Sequence, residues 1–175
     1  MKKVIGLIAI VIVSFVVFQS CRKYPSIRMA EKVDIDLFMG DWYVIANIPT
    51  FIEKGAHNAV ETYSRKSESV IDTKFSFNKD SLTGPKKEYN PTGFVTENPS
   101  NAEWKMQFLW PFKSEFIIVY VDPEYKYTII GRTKRDYVWI MAREPQINPR
   151  DQKMLIDIAV EEGYDRSLIE LIPHG

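Results

Sequence analysis

The feature that most constrains this chain is a series of short β-rich runs spaced as hairpins, each beside the next in sequence. Gly40-Asp41-Trp42-Tyr43-Val44-Ile45-Ala46 opens the series. Gly40 lets the chain turn tightly into a strand because it carries no Cβ. Beyond it the residues alternate with period two, Trp42, Val44 and Ala46 on one face and Tyr43, Ile45 and Asn47 on the other. Runs at Ala59–Ser64, Val70–Asn78, Lys86–Asn90, Thr92–Thr96, Trp104–Trp110, Glu115–Val121, Tyr125–Gly131 and Tyr137–Arg143 follow. Pro91 cannot donate to a ladder and marks a bend or bulge between Lys86–Asn90 and Thr92–Thr96. With the opening strand included and the chain split around Pro91, the series amounts to about eight strands. The fold class is therefore all-β: an eight-stranded antiparallel up-and-down barrel, whose closure removes exposed edges.

Two helical signals flank the series. Val33 to Met39 holds a single helical turn with Asp36 as its N-cap, so that Leu37, Phe38 and Met39 plug one end of the barrel beneath Trp42. Asn148-Pro149 opens a longer helix, Asn as cap and Pro in the first turn, and Gly163 ends it. Met154, Leu155, Ile158 and Ala159 share one face at helical spacing. That face packs on the outside of the barrel, and Leu168 to Ile172 adds one extended segment.

The N-terminus is an address. Lys2 and Lys3 precede Val4–Phe18, an apolar stretch with Ser14 its only polar interruption, long for a signal-peptide core and short for a spanning helix. The chain divides into residues 1–20 as signal peptide, 21–32 as modified cysteine and tether, and 33–175 as one barrel domain. Cys21 is the only cysteine, so no intramolecular disulfide exists and the core alone holds the fold. Lys+Arg and Asp+Glu number 23 each, and loss of Lys2 and Lys3 leaves 21 against 23, a charge of −2. No basic surplus points to nucleic acid as a partner.

Three motifs in order resemble the lipocalin family. They are Gly40-Asp41-Trp42-Tyr43, then Val121-Asp122-Pro123-Glu124-Tyr125 with its Asp-x-x-Tyr, then Arg143 at the end of the last barrel strand. In that family Gly40, Trp42, Asp122, Tyr125 and Arg143 correspond to structural positions that close the barrel. The resemblance implies that Arg143 lies across Trp42 as a cation–π contact. Trp110-Pro111-Phe112 and Arg135-Asp136-Tyr137-Val138-Trp139-Ile140 look like the bacterial outer-membrane lipocalins specifically. Phe18-Gln19-Ser20-Cys21 resembles a lipobox, departing from the commonest residues at its first two positions. On that resemblance Cys21 is lipidated and becomes the mature N-terminus. An uncleaved anchor helix with an incidental cysteine is the alternative, and either version tethers the domain to a membrane. Arg22, where an Asp is absent, points by resemblance to the outer membrane, at its periplasmic face.

The resemblance implies a carrier of fatty acids, lysophospholipids or similar amphiphiles, with no cofactor and with a homodimer as an analogy only. Strand parity expects the cavity to be lined by Trp104, Met106, Phe108 and Trp110, by Phe116, Ile118 and Tyr120, and by Trp139 and Met141. Tyr120 or Asn90 supplies the polar contact. The alternative is a filled barrel acting as a structural or interaction lipoprotein. The loop Ile48–Gly55 either gates the mouth and touches membrane through Phe51 and Ile52, or folds over the rim.

Enzyme chemistry has little to stand on. His57 and His174, the two histidines, sit in a loop end and in the tail and read as solvated. No His/Cys cluster has metal spacing, and Thr83-Gly84-Pro85 is a turn. An isomerase or de-epoxidase on this scaffold needs a carboxylate inside the cavity, and the faces assigned inward offer none. The expectation is therefore no catalytic residues, no metal and no enzyme.

Overall fold

A computed structural model describes residues 25–175. Val4–Phe18, the lipobox and Cys21 lie outside the described residues. Ten strands form one antiparallel sheet in the order β10-β1-β2-β3-β5-β6-β7-β8-β9, with β4 paired to β3 and β1 closing on β9. They are β1 Gly40–Ile48, β2 Ala56–Arg65, β3 Val70–Lys79, β4 Lys86–Tyr89, β5 Thr92–Val95, β6 Glu103–Leu109, β7 Phe112–Val121, β8 Tyr127–Gly131, β9 Val138–Ala142 and β10 Glu170–Leu171. β4 and β5 both pair with β3 on either side of Pro91, so they are two halves of one barrel strand. β10 adds to β1 outside the closure, through Ala46↔Leu171 and Asn47↔Glu170. The barrel is therefore closed and eight-stranded.

Alternation along the strands builds two cores. The inner one is lined by side chains such as Trp42, Tyr63, Phe75, Trp104, Phe116 and Met141. The outer one lies between the sheet and helix α2 (Pro149–Glu161), with Val119, Ile129, Ile140, Leu155, Ile156 and Ala159. Among the described residues the strand pairings close the barrel and both cores are complete.

Two of the four register shifts among the paired strands reset the parity that simple alternation implies. β1 shifts register against β9 between Val44 and Ala46. Trp42 and Val44 face inward, whereas Ala46 joins the outer core and Asn47 turns in. β7 shifts against β8 between Ile118 and Tyr120. Val119 and Tyr120 both pack on the outer side and Val121 returns to the inner one. An extra residue inverts every face beyond it, and neither bulge carries a Gly or Pro to announce it.

Helix α1 (Ile35–Phe38) is capped by Asp34 rather than Asp36. The Asp34 carboxylate accepts from the amides of Asp36 at 2.9 Å and Leu37 at 3.2 Å. Phe38 is fully buried against Trp42, but Leu37 points to solvent. α2 starts at Asn148 and Pro149 as its sequence implies. It ends in a Schellman motif: the Gly163 amide donates to Val160 at 2.9 Å and the Tyr164 amide to Ala159 at 3.2 Å, with Gly163 at φ +95°. Its buried face is Leu155, Ile156 and Ala159, and Met154 is half exposed.

The segment before α1 is packed from its first described residues. Ile27 is buried in the outer core, and the Ala30 amide donates to Ile118 at 2.9 Å. Arg135 in the β8–β9 turn donates to the Pro25 carbonyl at 2.7 Å. His174 is also packed rather than solvated, with Nε2 2.9 Å from the Val44 carbonyl and its ring edge-on to Tyr43.

Candidate functional site: a cavity with an acidic floor

Packing closes one end of the barrel. Trp42 donates its indole N–H to Phe38 at 2.8 Å. Phe38, Tyr63 and Trp104 meet with ring centroids 5.4–5.8 Å apart, and Phe116 stacks on Trp104 at 5.2 Å. The Arg143 guanidinium lies 3.8 Å above Trp42. It donates to the carbonyls of Leu37 and Asp41 at 2.8 Å, Met39 at 2.9 Å and Tyr125 at 3.3 Å. One cation thereby ties α1, β1 and the β7–β8 hairpin together. Gly40 supports it, because a Cβ there would stand 3.4 Å from the guanidinium at φ +95°. Asp122 shapes that hairpin by accepting from the amides of Tyr127 at 2.6 Å and Glu124 at 3.2 Å. Tyr125 receives the Asp34 amide at 2.7 Å.

Above this plug lies a cavity of about 430 Å³. Phe75, Tyr89, Met106, Phe116 and Trp139 form its apolar wall, and Thr50, Phe51, Ile52, Phe108, Arg132 and Tyr137 also line it. Such a volume falls in the range of small-molecule sites.

Of the residues that parity points inward, Met106, Phe108, Phe116, Trp139 and Asn90 line the cavity. Trp104, Ile118 and Met141 face inward but are consumed by the packed plug. Two assignments are corrected. Trp110 is 81% exposed, because β6 ends at Leu109 and Trp110-Pro111 forms the turn into β7. Tyr120 packs on the outer core, because the β7 bulge turns it away from the interior.

Three further polar groups lie inside the barrel, none of them on a strand face expected to line the cavity. Glu53, in the β1–β2 loop, is 2% exposed. Its carboxylate accepts from Trp139 Nε1 at 3.0 Å, the Thr50 amide at 2.8 Å and Asn47 Nδ2 at 3.5 Å. The loop is thus folded over the rim and pinned by a buried acid, while Phe51 at its tip stays exposed. Glu61 on β2 is buried and lines the cavity, and Tyr63 donates its hydroxyl to it. Burial pushes the Glu61 carboxyl up to about 7; the Tyr63 bond opposes this and the nearby Glu53 charge adds to it. Burial also raises Glu53, against the pull of its hydrogen bonds to Thr50 and Trp139. Thr73 on β3 is buried, lines the same cavity, and its hydroxyl has no partner among the described residues. The expectation that no carboxylate faces the interior is therefore overturned. Ala59, Glu61 and Tyr63 share one parity, so an inward Ala59 and Tyr63 already imply an inward Glu61.

Known proteins place this architecture. Residues 33–174 match the family model described as "Lipocalin-like domain". The chain is 26% identical over 166 residues to "Outer membrane lipoprotein Blc" of Citrobacter freundii, covering 93% of each chain. It is 27% identical over 157 residues to "Temperature-induced lipocalin-1" of Arabidopsis thaliana, covering 85% of this chain and 83% of the relative. Among solved structures, insecticyanin from the tobacco hornworm Manduca sexta superposes with a TM-score of 0.69 at 15% identity, over 87% of this chain and 86% of that one. Closed barrel, arginine-covered tryptophan and outer helix agree with a model match over nearly all the described residues: the chain belongs to the lipocalin-like family.

Proposed function

We propose that this protein is a membrane-anchored carrier that holds one single-chain amphiphilic lipid and makes or breaks no bond. Fatty acids and lysophospholipids are the first candidates. The observation that carries the reading is the cavity of about 430 Å³ with an aromatic and aliphatic wall. A filled barrel acting only as an interaction lipoprotein has no use for that space.

The placement of the mouth supports exchange with a lipid surface. Pro25 is held by Arg135, in the same turn as Arg132, which lines the cavity. Cys21 is four residues upstream, a reach of about 14 Å at most. An acyl anchor on Cys21 would therefore hold the open end near the membrane. Phe51, Leu109, Trp110 and Phe112 are exposed, on the β1–β2 loop and the β6–β7 hairpin at that end. Such an apolar rim suits a headgroup boundary. In this reading the protein sits at the outer membrane and takes up lipid from it.

The test is a titration of the chain from Arg22 onward with oleate, a lysophospholipid and a diacyl phospholipid, following tryptophan fluorescence. Trp139 lines the cavity and reports occupancy. A saturable response to the single-chain lipids supports the carrier. A flat response to all three refutes it and returns the search to protein partners.

A further inference from the structure

The cavity floor is more polar than a hydrocarbon chain needs. Glu61 lies on β2 directly opposite Phe75 of β3, and Tyr63 opposite Thr73. Glu61 and Thr73 are therefore diagonal neighbours on one inward face, within reach of a single bound group. A carboxylate accepts at up to about four lone-pair positions, and Tyr63 fills one of them. Thr73 is 4% exposed and its hydroxyl is unpartnered among the described residues. Buried polar groups are normally satisfied, and one that is not is a place for a ligand atom.

The other acidic groups around the cavity are committed, and the one lining cation among the described residues, Arg132, is committed in part and stands at the mouth rather than the floor. Glu53 is held by Trp139, Thr50 and Asn47. Glu115 accepts from the Thr133 amide at 2.6 Å and its hydroxyl at 2.9 Å. Arg132, in the β8–β9 turn at the mouth, pairs with Asp136 at 3.4 Å, while its buried Nε has no partner among the described residues. The floor thus offers a hydrogen-bond acceptor and a hydroxyl, with acidic neighbours. A second carboxylate brought there meets like charge in a low-dielectric site, which is unfavourable. A donor meets the opposite.

We propose that Glu61 and Thr73 form a head-group subsite at the cavity floor, which takes an amphiphile by a hydrogen-bond-donating end, an ammonium or a hydroxyl, and discriminates against a carboxylate. This rests on the carrier reading and narrows its ligand class. The amphiphile enters polar end first, and its chain lies against Phe75, Met106 and Phe116 toward the mouth.

The experiment is calorimetric titration, at pH 8, of the chain from Arg22 onward with decylamine, 1-decanol, decanoate and methyl decanoate. These share a chain and differ in the polar end. Decylamine and decanol should bind about tenfold or more tighter than decanoate and the ester, the worth of one hydrogen bond to a charged group. Glu61→Gln keeps an acceptor and loses the charge, so it should weaken decylamine about tenfold and decanol less. Thr73→Val should weaken both donors several-fold. Decanoate binding as tightly as decylamine, or decylamine unchanged by Glu61→Gln, overturns the subsite while leaving the carrier intact. No binding by any of the four, with oleate and lysophospholipid also inert, removes the carrier reading itself. The wild-type ranking decides the question even if a variant fails to fold.

Discussion

Glu61→Gln should change how stability depends on pH. Folding lifts the Glu61 carboxyl from its ordinary value of 4.5 to about 7, chiefly by burial. Below about pH 4.5 the group is protonated both folded and unfolded, and its contribution to stability is fully present. Between 4.5 and 7 the folded chain binds more protons than the unfolded chain, so stability falls as pH rises. At about 1.4 kcal/mol per pH unit, the loss by pH 8 is about 3 kcal/mol. Glutamine is uncharged throughout and still accepts the Tyr63 hydroxyl, so the variant should lack this fall. The assay is urea unfolding at half-unit intervals from pH 4.5 to 8.5, followed by tryptophan fluorescence. Wild type and variant should nearly coincide at the acid end. At pH 8 the variant should have the higher midpoint by about 1 M or more, given a urea slope of about 1–3 kcal/mol per M. Glu53 stays buried in both chains and leaves part of the slope in each. Parallel curves across the range would refute the placement of a buried, proton-holding Glu61.

Other perturbations follow from the same contacts. Arg143→Met removes the cation over Trp42 and the donors to four carbonyls, and should lower unfolding free energy by about 3 kcal/mol in the same urea assay. Phe108→Asp, on a half-exposed lining residue, should weaken lysophospholipid binding at least tenfold in fluorescence titration while leaving the unfolding midpoint within error. Cys21→Ala should abolish incorporation of labelled palmitate and leave residues 1–20 attached, read as slower migration on a denaturing gel. Trp139→Phe deletes the indole donor to Glu53 and should loosen the β1–β2 loop, read as faster amide exchange across Thr50–Gly55.

The fold was legible because its signals are local. Period-two runs, Pro91, the Asn148-Pro149 cap and Gly163 each act within a few residues. Arg143 across Trp42 came from a family motif and not from any local rule. The cavity was harder to see. A β-bulge is an event of pairing, so Ala46, Asn47 and Tyr120 take their faces from partners on β9 and β8 that the strand itself does not reveal. Trp104 and Met141 face inward as parity says. Whether an inward aromatic lines a void or fills it depends on how Phe38, Tyr63 and Phe116 pack beside it. Glu61 was concealed differently: its charge suggests solvent, although its parity with Ala59 and Tyr63 points indoors.

The carrier reading requires that the barrel hold one amphiphile. Native mass spectrometry of the chain from Arg22 onward, incubated with a single-chain lysophospholipid, tests it most directly. A carrier should give a dominant species with one lipid per barrel, saturating near micromolar concentration or below, and much reduced by Phe108→Asp. A spectrum of bare protein, or a ladder of adducts unchanged by that substitution, would contradict it.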